Sequence, residues 1–309
     1  MTLLIKENIP LAPLTTFNIG GPARYFTEVR SVEEIKEAIT IARERKLPLI
    51  ILAGGSNVLV PDEGLNALVI SILLTDFKLV GNVLESEAGC NLLSMISETT
   101  RAGLGGWENL AGIPGTIGGA IRGNAGAFGT EIKDVAVKVG AFNIKTGKIK
   151  EFSNSESEFA YRNSFFKKNP DWFITKVAVG LHVVDYAKSA RLIETTITER
   201  EKRHLQNIQA AGSYFMNPVA PKEVQEMFER EKGMKSRKDR VPAGWLIEKA
   251  GMKGAKVGGA IASLQHPNYL VNTGGATALD VRNLAEKIKQ AVKKQYGIGL
   301  EEEAVIMRL

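Results

Sequence analysis

Cysteine is almost absent: Cys90 is the only one in 309 residues. That excludes an intrachain disulfide and a thiolate metal cluster, and it suits a reducing compartment. The three histidines, His182, His204 and His266, are scattered without metal-ligand spacing, so no metal site is expected. Long apolar runs are missing too. LPLIILAGG at 47–55 falls far short of the roughly 20 residues that cross a bilayer. The segment MTLLIKENIPL has none of the charged, apolar and cleavage regions of a secretion signal, so the cytoplasm is the expected location and no membrane partner is expected. The chain also lacks the GxGxxG dinucleotide fingerprint, a GKS/GKT phosphate loop and a GxSxG nucleophile elbow, which argues against the common nucleotide folds and against acyl transfer.

What is present reads as an ordinary globular protein, 44% hydrophobic and 24% charged, long enough for two or three domains. The net charge is +6. Its basic residues alternate with acids in helix-like stretches such as REKRH, and no interleaved aromatics offer a stacking platform. Nucleic acid is therefore not an expected partner, and anionic small molecules explain the bias equally well.

The segment NLAGIPGTIGGAIRGNAGAFG, 109–129, carries the most information. Glycine buries nothing and costs backbone entropy, so this density fits a loop whose N–H groups must approach a ligand unhindered, as in phosphate sites. A flexible linker would be polar and repetitive, whereas Leu110, Ile113, Ile117, Ile121 and Phe128 stand among these glycines. A second loop, Gly54-Gly55-Ser56-Asn57, follows a βαβ reading. A strand over 24–30, a helix from Ser31 to Lys46 with Glu34 completing a capping box, and an apolar strand over 48–53 predict two parallel strands. Without either standard fingerprint, two such loops point to a pyrophosphate held by backbone donors, and a flavin fits best.

Further on, strands are predicted near 66–90, a helix from Asn91 to about Gly103, and two or three strands over 134–184. A long helix over 187–206 leads to a region with helices near 222–232 and 243–250 and strands near 258–271. Another helix is opened by Thr277, with Asp280 at the capping-box position, and EEEAVIMRL ends the chain as a strand.

Three polar positions invite two readings each. Arg162 in FAYRNSFFKK is flanked by aromatics, so it is either a partly desolvated carboxylate anchor or a surface arginine stacked on a ring. Ser213 in GSYFMNP either caps a turn or donates a proton. Glu301, Glu302 and Glu303 form a run that is ordinarily solvated; in a strand, Glu301 and Glu303 would face one way and Glu302 the other. His182, within a strand, reads as structural.

Seven blocks occur in an order that resembles the UDP-N-acetylenolpyruvoylglucosamine reductase family: IGGPA, AGGSN, GIPGTIGGAIRGNAGAFG, YRNSFF, AGSYFMNP, AGWLIEKAGMKG and LEEEAVI. The resemblance spans nearly the whole chain. It implies an α+β protein with the FAD-binding fold of the vanillyl-alcohol-oxidase-like type, two α+β subdomains over 1–65 and 66–200, plus an α+β substrate domain over 201–309. It implies FAD held by Ala53, Gly54, Gly55, Ser56 and Asn57 and by Gly112, Pro114, Gly115, Thr116, Gly118, Gly119, Asn124, Ala125 and Gly126. NADPH is the implied hydride donor, and the implied substrate is a UDP-sugar enolpyruvyl ether, reduced to its lactyl ether in peptidoglycan precursor synthesis. Arg162, Ser213 and Glu303 fall on the family's catalytic arginine, proton-donating serine and glutamate. Tyr161, Asn217 and His266 fall at substrate-binding positions. Three departures stand out: Met216 replaces a family lysine, Arg122 replaces a neutral residue, and only about 50 residues separate YRNSFF from GSYF, which implies the short, lidless subgroup. A monomer is expected. The competing readings are another flavin oxidase or dehydrogenase of the same architecture, and a non-catalytic nucleotide or nucleic-acid binder.

Overall fold

The computed structural model describes residues 3–202 and 208–308. Its first unit is a four-stranded sheet of β1 (Lys6–Pro10), β2 (Pro22–Val29), β3 (Leu49–Leu52) and β4 (Leu65–Ile72), with α1 (Val32–Glu44) between β2 and β3. The spatial order is β1-β2-β4-β3. β2 and β3 are parallel as expected, but they are not neighbours, because β4 pairs in parallel between them. The apolar runs of β3 and β4 reflect that central placement, where both sheet faces are covered. One face packs α1 through Ile35, Ala38 and Ile39, and the other buries Leu11, Phe26 and Val60. The capping box expected at α1 does not close. The Ser31 hydroxyl accepts from Glu34 N–H at 3.1 Å, but the Glu34 carboxylate takes the N–H of Arg30 at 2.6 Å instead.

The second unit is an antiparallel sheet of β5 (Phe77–Val80), β6 (Val83–Glu87), β7 (Ala136–Asn143), β8 (Ile149–Ser153) and β9 (Trp172–Gly180) in the order β8-β7-β9-β6-β5. Two helices, α2 (Leu92–Arg101) and α3 (Ile117–Gly123), cover one face through Met95, Ile96, Ile117 and Ile121. Phe142 and Phe173 on the other face join the core beneath α1, so the two sheets enclose one apolar layer. The helix predicted over 187–206 is α4, Tyr186–Lys202. Its expected last residues, with His204, lie outside the described residues. His182 sits exposed on a two-residue strand beside Gly106.

The third unit contains α5 (Lys222–Lys232), α6 (Ala243–Lys249), a small sheet of β10 (Lys256–Val257), β11 (Ala260–Ala262) and β12 (Leu270–Asn272), and α7 (Ala278–Tyr296). Thr277 and Asp280 form the expected capping box of α7. This unit is joined to the first by more than the linking helix. Phe17, Ile19 and Leu59 are part of its core, and both carboxylate oxygens of Asp62 accept N–H groups at the α7 N-terminus, from Ala278 at 2.7 Å and Leu279 at 3.1 Å. The terminal strand is shorter than predicted. Among the described residues Val305–Ile306 pairs in parallel with Val58–Leu59, and Glu302 makes an isolated bridge with Phe215.

Candidate active site

That terminal return is what assembles the site. Pairing with Val58–Leu59 brings the acidic segment beside the AGGSN loop, where the Asn57 side-chain amide donates to the carbonyl of Glu303 at 3.1 Å and the carbonyl of Asn57 accepts from Val305 N–H at 3.0 Å. On its other side, Glu303 N–H donates to Tyr214 C=O at 2.8 Å, immediately after Ser213. The serine segment and the glutamate segment are thus locked together. The three glutamates diverge. Glu301 is exposed, Glu302 forms an ion pair with Lys289, and Glu303 turns into a cavity.

The cavity encloses about 900 Å³ at the junction of all three units, near the upper end of the ~300–1,000 Å³ range of small-molecule sites. Arg162, Ser213 and Glu303 all line it. Arg162 Nε lies 2.5 Å from Glu303 Oε1; the N–H is not aimed along that contact, which makes it an ion pair more than an aligned hydrogen bond. Burial pushes the Glu303 carboxyl above the ordinary carboxylate range, although Arg162 and Lys167 both pull it down. The Ser213 hydroxyl is half-buried and makes no hydrogen bond to another described residue.

Arg162 occupies a left-handed conformation, φ 54°, in a tight turn closed by Asn163 N–H to Ala160 C=O at 3.1 Å. A non-glycine residue there costs about 1–2 kcal/mol and persists only where its surroundings impose it. They do so through α3. The fully buried Asn124 donates to Ala160 C=O at 2.9 Å, Ser164 Oγ donates to Arg122 C=O at 2.8 Å, and Arg162 itself donates to Gly126 C=O at 3.0 Å. Asn124 therefore pins the arginine turn to the glycine loop from behind the cavity wall, which it does not line.

The two glycine loops form one cradle. Ser56 Oγ donates to Pro114 C=O at 3.0 Å, and a Cβ on Gly54 would come within 2.7 Å of the Gly115 Cα. Gly115 has φ 115°, and its own Cβ would lie 2.7 Å from Ser56 Oγ. Of the residues expected to hold FAD, Ala53 to Asn57, Pro114, Thr116, Gly118, Gly119, Ala125 and Gly126 line the cavity. Gly112 and Gly115 do not line it, and Gly115 packs against Ser56. The N–H groups of Gly54, Gly55, Ser56 and Asn57 donate to no acceptor among the described residues. Backbone donors left unused in a concave wall suit a pyrophosphate. The apolar wall of Ile50, Ile113 and Phe173 suits a planar ring system. These residues fit FAD.

His266 lines the cavity with its ring against Tyr269, centroids 5.0 Å apart. Tyr161 and Asn217 do not line it. Asn217 is committed to the frame: its Oδ1 accepts from Ala243 N–H at 3.0 Å at the start of α6, and its own N–H donates to Tyr161 OH at 3.2 Å. Lys167, Arg122 and Arg237 also line the cavity and were not singled out as ligands from sequence. Burial lowers the pKa of both Lys167 and Arg122. Isolated basic residues carry no local pattern that would have marked them.

A cradle of bare backbone donors joined to an ion-paired arginine and a half-buried carboxyl fits an FAD-dependent oxidoreductase. The comparisons agree. Residues 23–153 match the FAD binding domain, and residues 202–307 match the UDP-N-acetylenolpyruvoylglucosamine reductase C-terminal domain. The chain is 36% identical to the UDP-N-acetylenolpyruvoylglucosamine reductase of Carboxydothermus hydrogenoformans, covering 98% of this chain and 94% of that one. It is 34% identical to the Pseudomonas aeruginosa reductase, covering 98% and 99%. The crystal structure of the Thermus caldophilus reductase matches with a TM-score of 0.79 at 30% identity, covering 99% of this chain and all of that one. The chain belongs to the UDP-N-acetylenolpyruvoylglucosamine reductase family.

Proposed function

We infer that this protein uses NADPH to reduce the enolpyruvyl group of UDP-N-acetylglucosamine enolpyruvate to the lactyl ether of UDP-N-acetylmuramate, a step of peptidoglycan precursor synthesis. The observation that carries the assignment of roles is the meeting of Arg162, Glu303 and Ser213 in the cavity that the two glycine loops bound. The two glycine loops would hold FAD, which when bound would supply the hydride that NADPH provides. The alkene is conjugated to a carboxylate, so adding hydride at its terminal carbon moves negative charge onto that carboxylate. Arg162 takes the charge in a partly buried setting, where a cation stabilises it more than water does. Glu303, whose pKa burial raises while Arg162 and Lys167 lower it, holds the Arg162 guanidinium in place beside that carboxylate. Ser213 gives a proton to the carbon bearing the ether oxygen.

We place the enzyme in the cytoplasm, where the buried Cys90 thiol stays reduced. No helix among the described residues is long and apolar enough to cross a membrane.

Isotope placement tests the chemistry. In heavy water with ordinary NADPH, the product is expected to carry deuterium at the ether-bearing carbon, from the exchangeable serine proton. Labelled NADPH in ordinary water should instead label the new methyl group if the reduced flavin is not washed out. Solvent deuterium absent from the ether-bearing carbon would rule out protonation there by an exchangeable group.

A further inference from the structure

A tight turn of the third unit crosses the cavity mouth. Arg240 N–H donates to Arg237 C=O at 3.0 Å, and the two residues between them, Lys238 and Asp239, are both left-handed at φ 51° and 57°. Type I′ turns need this geometry and usually employ Asn, Asp or Gly. A lysine there is unfavourable by itself, so the turn depends on what its ends grip. At one end the Arg240 guanidinium lies 4.4 Å from the Tyr161 ring centroid and donates to Asn217 C=O at 2.7 Å. At the other, Arg237 lines the cavity against the tip of the long glycine loop; a Cβ on Gly129 would be 3.5 Å from its Nη1. The turn thus bridges the arginine turn and the glycine loop.

Arg237 differs from Arg162 and Lys167, the cations nearest Glu303. Arg162 is paired with Glu303, and Lys167 donates to Arg162 C=O at 2.9 Å. Arg237 is exposed and has no carboxylate partner among the described residues. An uncommitted guanidinium at the rim of an anion-binding cavity is suited to bidentate phosphate contact. We propose that the Arg237–Arg240 turn bounds the substrate mouth, and that Arg237 binds the diphosphate of the sugar nucleotide. This rests on the function above. With the enolpyruvyl group at Arg162, Ser213 and Glu303, the diphosphate on the far side of the sugar points toward the rim. Tyr161 and Arg240 act as positioning residues that hold the turn.

Titration of oxidised, FAD-loaded protein with UDP and with uridine, followed by calorimetry, tests this. Arg237→Ala is expected to weaken UDP binding at least about tenfold while uridine changes less than about twofold. Arg237→Lys should recover part of the loss, since a lysine keeps the charge but not the fork. Unchanged UDP affinity would overturn the proposal, as would equal weakening of uridine, which marks general damage to the mouth. If the variant instead loses FAD or responds more weakly to NADPH while UDP binding is unaffected, the phosphate contact belongs to a dinucleotide and the proposal fails. The function can fail separately: wild-type protein that shows Arg237-dependent UDP binding but cannot reduce the enolpyruvyl nucleotide would sink that reading alone.

Discussion

Ser213→Ala is expected to slow the reoxidation of reduced flavin by the enolpyruvyl substrate by about 10²–10⁴-fold, the usual effect of losing a positioned proton donor. The upper end is expected here. Ser213 lines the cavity with a hydroxyl that no described group engages, and the backbone just after it is tied to the segment carrying Glu303. Arg162 cannot give up a proton, being a guanidinium, and Glu303 is held against it. The substitution removes one oxygen from a half-buried position, so the fold and the FAD cradle should persist. Reduction of the flavin by NADPH needs no proton from this residue and should stay within about threefold of wild type; a rate difference of that size is under 1 kcal/mol. Rapid-mixing measurement of both half-reactions separates the two. Equal slowing of both would assign Ser213 to cavity structure, and normal substrate reduction would remove it from the chemistry.

The second large effect is expected at Gly54. A methyl group there would meet the Gly115 Cα at 2.7 Å, a backbone contact that no side-chain rotation relieves. The AGGSN and GIPG loops must then separate, and the free N–H groups of residues 54–57 lose their common aim. Hydrogen bonds to a charged group contribute about 1.5–3 kcal/mol each. Misplacing two of them costs about 3–6 kcal/mol, which weakens FAD binding by about 10²–10⁴-fold. Gly54→Ala is expected to purify colourless, to unfold cooperatively on heating, and to take up FAD only at high concentration. A variant that retains wild-type FAD affinity would show that the pyrophosphate lies elsewhere. Protein that does not fold is distinguished by its melt, and the same question can then be put to Ser56→Ala, which removes only the bond to Pro114 C=O.

Much of this architecture is legible in the residues because it is local. The glycines at 112–129 could not serve a core, and most of them line the cavity. Thr277 caps a helix where its side chain predicts, and the helix read from Asn91 begins there. The strand order was not readable. Placing β4 between β2 and β3 depends on which apolar run takes the sheet centre, a question settled by packing on both faces. Glu34 illustrates the same limit at small scale, since its carboxylate had two nearby N–H groups to choose from and took the earlier one.

For the site, residue type left two readings each at Arg162, Ser213 and Glu303, the family resemblance singled them out, and their convergence depends on contacts distant in sequence. Asn57 and Glu303 are 246 residues apart and are joined by a single amide hydrogen bond beside a two-residue parallel pairing. The resemblance placed Tyr161 and Asn217 at substrate-binding positions, yet they form the frame behind the cavity wall. Arg237 is one basic residue among many, and only the turn that carries it distinguishes it. The cation exchanged for Met216 had no predictable replacement position. The structure offers Arg237 at the cavity rim, while the Met216 N–H pairs with Glu301 C=O at 2.9 Å.

One cavity is expected to carry electrons from NADPH to the enolpyruvyl sugar nucleotide through FAD. Anaerobic titration of the purified protein, followed by visible absorbance, tests it most directly. The oxidised flavin band is expected to bleach on adding NADPH and to return on adding UDP-N-acetylglucosamine enolpyruvate, with one equivalent of UDP-N-acetylmuramate formed per flavin. Bleaching without recovery would contradict the substrate, and a protein that binds no FAD would contradict the cradle.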